Sequence, residues 1–213
     1  MKKTILLAFA LAFCFTRLNV FAAENNTKDP MNWSASMSQE STDEEKEEGR
    51  WSVVVENEIG INAYDVTSIH YGLDADRNMD DNTMHILTRT VYAPKDQKFA
   101  QRLADAYKNK LEKDERVQMS NISMVFRMHE KTFYVESMDV YSNKKKLIEH
   151  KENPAKFKPV PKGSVAEAMY EICLKVYLKS VTDPEAWLVK HGFSQQEAKD
   201  WLKKNGLDEE PKF

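Results

Sequence analysis

Between Met84 and Lys113 the apolar pattern changes period at Pro94. Before the proline, His85-Ile86-Leu87-Thr88-Arg89-Thr90-Val91-Tyr92 alternates with the period of two that a half-buried strand shows. After it, Phe99, Leu103, Tyr107 and Leu111 recur every four residues, flanked by Ala100, Ala104 and Ala106. That spacing predicts an amphipathic helix from Lys95 to about Lys113. A chain with both periods side by side has to build a sheet and lay a helix over it.

The surrounding segments extend the same scheme. Trp51 opens a β-branched run, Ser52-Val53-Val54-Val55-Glu56-Asn57, and a second extended segment runs from Ile59 to Ile69. Asp74 to Asn82 is rich in turn-formers and predicts a loop. Further strands are expected over Val117–Met128 and Lys131–Tyr141, separated by a tight turn near His129-Glu130, with a short one over Leu147–His150. Pro154, Pro159 and Pro161 punctuate the next loop. Ser164-Val165-Ala166-Glu167 then makes a capping box, in which the serine side chain and Glu167 satisfy free amides at a helix start. Val165, Met169, Ile172, Cys173, Val176 and Tyr177 form the apolar face of that helix. The order β-β-β-α-β-β-β-α predicts an α+β fold, an antiparallel sheet of about five to six strands packed by two helices.

The C-terminal segment, 181–213, carries a small internal repeat. Trp187-Leu188-Val189-Lys190-His191-Gly192-Phe193 returns as Trp201-Leu202-Lys203-Lys204-Asn205-Gly206-Leu207. Asp183-Pro184-Glu185 and Ser194-Gln195-Gln196-Glu197 are helix starts, and each copy ends in a glycine able to take the left-handed C-cap conformation. A C-terminal helical hairpin follows. Trp187, Trp201 and Phe193 are its candidate partner-binding residues, since tryptophan is a favoured anchor at interfaces. Packing of the two tryptophans on each other or on the main domain is the alternative.

The N-terminus reads as an export signal over residues 1–23. Lys2 and Lys3 are followed by an apolar stretch from Ile5 to Phe15 and by Val20-Phe21-Ala22-Ala23-Glu24, with signal cleavage expected after Ala22 or Ala23. The apolar run is short for a transmembrane helix, which needs ~20 residues. Cys14 is a poor lipidation site because bulky Phe13 precedes it. No other stretch is long enough to span a bilayer, so no transmembrane segment is expected in the mature chain. Residues 24–50 are polar and acidic, ending in Ser41-Thr42-Asp43-Glu44-Glu45-Lys46-Glu47-Glu48-Gly49-Arg50, and read as a disordered tether ahead of a domain over 51–180.

Composition narrows the chemistry. Losing residues 1–23 removes Lys2, Lys3 and Arg17 and no carboxylate, so the remainder is more acidic than the whole chain at net −3. Its scattered bases make nucleic acid a poor partner. Of two cysteines only Cys173 survives, so no internal disulfide can form and the fold depends on its apolar core. Cys173 reads as a buried, inert thiol, with pairing to another chain as the alternative. Asp74, Asp76, Asn78 and Asp80 imitate the start of a calcium loop. Met79 stands where glycine is required and His85 where a glutamate is required, so a polar hairpin loop is the better reading. His70, His85, His129, His150 and His191 show no i, i+4 zinc spacing, although His70 and His85 could meet on neighbouring strands. No phosphate loop, nucleophile elbow or His-Glu-x-x-His motif is present, and no cofactor, catalytic residue or metal ligand is assigned. The Asn-x-Ser/Thr sites at Asn25, Asn32 and Asn121 matter only in a eukaryotic secretory route, and the leader has bacterial character.

The order of segments resembles the bacterial surface-adhesin protein E-like domain. The likeness is carried by Trp51, Tyr64-Asp65-Val66-Thr67-Ser68-Ile69, the Met84–Tyr92 strand and Ile122-Ser123-Met124-Val125-Phe126. It continues through Phe133-Tyr134-Val135, Asp139-Val140-Tyr141, Pro159-Val160-Pro161-Lys162-Gly163-Ser164 and the helix ending near Cys173. It covers roughly residues 51–178. Family members often pair that last cysteine with one near Val125, which this chain lacks. The resemblance implies an exported binding or surface module and supplies no catalytic residues. The expected function is therefore a non-enzymatic, protein-binding and adhesin-like role in the periplasm or at the cell surface, with an envelope or host-matrix protein as partner. The alternative is a periplasmic small-ligand or enzymatic pocket between sheet and helices, built from dispersed residues.

Overall fold

The computed structural model describes residues 49–208. The expected leader, Ala22 and Ala23 at its expected cleavage site, and nearly all of the acidic stretch 24–50 lie outside the described residues. Among those described, the strands are β1 (Trp51–Glu56), β2 (Gly60–Asp65), β3 (His70–Leu73), β4 (Met79–Tyr92), β5 (Val117–Arg127), β6 (Thr132–Ser142), β7 (Leu147–Glu152) and β8 (Lys158–Pro159). The helices are α1 (Gln97–Tyr107), α2 (Val165–Leu178), α3 (Pro184–Lys190) and α4 (Gln195–Lys204).

The fold is α+β, with one antiparallel sheet in the order β1-β2-β4-β5-β6-β7; β3 also pairs with β4, and β8 with β6. The sheet has eight strands, more than the five to six expected. The surplus is β3 and β8, which are four and two residues long, too short to display a period of two. The extended segment 59–69 is also cut by a turn. The Asp65 carboxylate accepts hydrogen bonds from the Thr67 amide (2.9 Å) and hydroxyl (2.7 Å), which ends β2 and lets β3 start afresh at His70. The loop expected up to Asn82 is tighter, and β4 already begins at Met79.

Helix α1 is shorter than its periodicity, ending at Tyr107 where Lys110 and Leu111 turn back to the Tyr107 carbonyl. Leu111 still packs with Phe99, Leu103 and Tyr107 against Val117, Val140 and Ile59. The larger core sets α2, through Met169, Tyr170, Cys173, Leu174 and Leu178, on Met84, Ile86, Ile122, Met124, Phe126 and Phe133 of β4, β5 and β6. Leu188, Ala198 and Leu202 of the hairpin are buried in that same core.

Each repeat of the hairpin closes in the same way. Gly192 (φ 99°) donates to the Val189 carbonyl and Phe193 to Leu188; Gly206 (φ 65°) donates to Lys203 and Leu207 to Leu202. These are paired Schellman closures, whose left-handed residue favours glycine and whose following residue is apolar. The repeated Trp-Leu…Gly-apolar spacing thus encodes one helix end twice.

Candidate functional site

Side chains alternate across a strand, so cross-strand partners share a face. Met84, Ile86, Thr88 and Thr90 pair with Phe126, Met124, Ile122 and Ser120. These buried residues form the side covered by α1 and α2. The intervening residues form the opposite face. There Leu87, Val91, Met119 and Tyr141 join neither helix-packed core among the described residues.

Register aligns that face into rows. The first is apolar and crosses five strands: Ile61 opposes Val91, Val91 opposes Met119, Met119 opposes Tyr141 and Tyr141 opposes Leu147. Its ends are open, with Ile61 37% and Leu147 49% exposed. Val53 of β1, 65% exposed, lies beside it on the same face. The second row begins at Ala63, opposite Val53, and is polar from there on: Arg89, Asn121, Asp139 and His150. Arg89 donates from Nε to Asn121 Oδ1 at 3.0 Å and lies over the Trp51 ring at 3.8 Å, a cation–π contact. His150 Nδ1 stands 2.6 Å from Asp139 Oδ1, and that hydrogen bond leads the raising of the imidazole pKa above its usual value. Further along, the Ser123 hydroxyl donates to Glu136 at 2.8 Å. Beyond that, Phe157 meets Tyr134 edge-on at 4.9 Å with the Arg127 guanidinium over it, at the end where Val125 is buried.

The hairpin's three candidate anchors are all partly buried against the main core. Trp187 stacks on His191 (3.8 Å between centroids, 20°) and meets Tyr177 of α2 at 5.2 Å. His129, in the β5–β6 turn, contacts both Trp187 and His191, and its Nε2 lies 3.0 Å from the Tyr177 hydroxyl. Phe193 follows the α3 cap, and Trp201 hydrogen-bonds to α2. The tryptophans therefore pack on the main domain and not on each other.

The remaining sequence candidates are placed as follows. Asp74 Oδ1 accepts from the Asp76 and Asn78 amides at 2.9 and 2.8 Å, so this carboxylate closes a polar hairpin turn. Asp80 caps the Asn82 amide and accepts from the Thr83 hydroxyl. Cys173 is fully buried, and burial pushes its thiol pKa well up, so it is poorly placed to ionise or to reach another chain. His70 and His85 do meet across β3 and β4. Among the described residues, no group of three or more His, Cys, Asp or Glu is arranged to hold a metal ion, and no helix is long and apolar enough to cross a membrane.

The face opposite α1 and α2 was hidden in the sequence because its residues come from separate strands. Alternation assigns each to a side, but only register lines them up. Comparison with protein-family models, with curated proteins and with solved structures finds no match to this chain.

Proposed function

We propose that this chain is an exported bacterial envelope or surface protein whose domain binds another protein, in an adhesin-like role, through the face of its sheet opposite α1 and α2. The observation that carries the reading is the apolar row from Ile61 through Val91, Met119 and Tyr141 to Leu147, bordered by the Arg89–Asn121 and Asp139–His150 pairs. An apolar strip rimmed by hydrogen-bonding groups has the anatomy of a protein interface, an apolar centre with a polar rim. The leader at residues 1–23 supports export, and the surface-adhesin E-like order of segments supports a binding module. The aromatic anchors of the hairpin, partly buried within the chain, have a supporting role in this reading.

Cell fractionation combined with a photo-crosslinking residue at position 119 tests it. The expected result is a tagged chain in the periplasmic or surface fraction, with one discrete cross-linked protein from position 119 and none from Lys175 on α2. A cytoplasmic chain, or no product specific to position 119, overturns it.

A further inference from the structure

The face opposite α1 and α2 is laid out about β5 as its midline. Two strands flank β5 on either side, β4 and β2 on one and β6 and β7 on the other. In the apolar row Met119 is the centre, with Val91 and Tyr141 one strand out and Ile61 and Leu147 two strands out. In the polar row Asn121 is the centre, and the strands beside it carry Arg89 and Asp139. Equal distances from β5 therefore hold apolar residues in one row and opposite charges in the other. Val91, Met119, Tyr141, Arg89, Asn121 and Asp139 are all half-buried within the chain.

We propose that this face is the interface of a homodimer, in which a second copy of the chain packs sheet on sheet about a two-fold axis running along β5. The proposal rests on the reading of this face as protein-binding and names its partner. A two-fold interface has to be complementary to itself: where one residue meets a second, the second also meets the first. An axis along β5 lays β4 of one copy over β6 of the other. Met119 and Asn121 then meet their own counterparts, Val91 meets Tyr141, Ile61 meets Leu147, and Arg89 meets Asp139 twice. An axis across the strands fits worse. Run along the polar row, it sets Arg89 on Arg89 and Asp139 on Asp139. Run between the rows, it sets both charges on apolar side chains. Run along the apolar row, it gives Arg89 and Asp139 no partner in either row. The axis along β5 also keeps the strands of the two sheets aligned, as in a sandwich whose sheets lie ~10 Å apart. A face of about 24 by 20 Å on each copy, from a strand spacing of ~4.8 Å and a rise of ~3.4 Å per residue, buries on the order of 1,000 Å² in all. That is the lower limit for a specific interface, so the dimer should dissociate in the micromolar range.

The test is sedimentation equilibrium, over a micromolar concentration range, of a chain produced from residue 24 onward. The parent should pass from monomer to dimer. Arg89→Asp sets carboxylate against carboxylate and Asp139→Arg sets guanidinium against guanidinium, so each variant alone should dimerise about a hundredfold more weakly or worse. Mixed in equal amounts the two should pair again, because one copy then offers two carboxylates and the other two guanidinium groups at the four meeting positions. Structural damage from either change would not be undone by mixing. Arg89 also bonds Asn121 and covers Trp51, so Met119→Lys decides if a charge variant fails to fold. Met119 stands outside both helix-packed cores, and two ammonium groups on the axis should leave a folded monomer. A parent that stays monomeric, folded charge variants that dimerise like the parent or do not pair on mixing, or a dimeric Met119→Lys overturns the dimer. Cross-linking from position 119 separates this failure from that of the binding face. A monomeric parent that still cross-links to a different protein sinks the dimer alone, and one that gives no product removes both.

Discussion

The indole nitrogen of Trp201 donates a 2.7 Å hydrogen bond to Oε2 of Glu171, which ties the last helix of the hairpin to the middle of α2. This bond satisfies the polar edge of a partly buried tryptophan while its rings pack into the main core. Trp201→Phe keeps the ring contact and loses the bond, so it should cost about 1 kcal/mol. Trp187→Ala, which empties the space between Tyr177 and His191, should cost ~3 kcal/mol or more. Urea unfolding of both variants checks this; two variants as stable as the parent would mean the hairpin is not coupled to the core.

Gly60 opens β2 against Tyr92 at φ 154°, and an added Cβ would sit 2.0 Å from the Val91 carbonyl oxygen. The obstacle is backbone in a central strand pairing and cannot swing aside. Gly60→Ala should therefore destabilise by roughly 3 kcal/mol, the scale of overpacking. Gly163→Ala is the comparison, since it has no neighbouring atom within 4 Å and only its φ of 68° to strain it. Equal thermal midpoints for the two would refute the steric account.

Asp65 is fully buried and paired with Arg50 at 2.5 Å. Burial alone would raise its carboxyl pKa, but the bonds from Arg50 and Thr67 outweigh it and hold the value below the usual 3.8. A depressed carboxylate contributes stability above its unfolded pKa and loses it as the pH falls through the folded one. Asp65→Asn should thus be less stable by ~2 kcal/mol near neutral pH. Its deficit should narrow below about pH 4, where the parent's carboxylate begins to protonate. Parallel denaturation across that range decides, and a deficit independent of pH would count against the ion pair.

Cys173 lies at the centre of the α2 face with no exposed surface. A chain produced from residue 24 onward, with Cys173 as its one thiol, should resist a thiol reagent such as a disulfide dye when native and react at once with one equivalent when unfolded in urea. Non-reducing gels should show no Cys173-linked dimer. Prompt labelling of the native chain would show that α2 opens readily.

Much of the fold is legible in local sequence because its signals are local. The alternation from Met84 to Tyr92, the four-residue spacing after Pro94, and the caps at Ser164, Asp183 and Ser194 each act within a few residues. The caps are found bonded to their helices as the residues imply. Very short elements escape such reading. β3 carries His70 through Leu73, too few residues for a period, and it exists because β4 is long enough to offer it a partner.

The sequence by itself therefore determined which segments extend, which coil and where the helices stop, since each follows from backbone preference and neighbouring side chains. The tertiary structure decided the register. Register placed both α1 and α2 on one side, drew Ile61, Val91, Met119, Tyr141 and Leu147 into a single row on the other, and set His70 against His85. It also turned Trp187 and Trp201 toward α2. The physical reason is the same in each case: a strand knows its two faces from its own alternation, but its neighbour across the sheet is chosen only when the whole core packs.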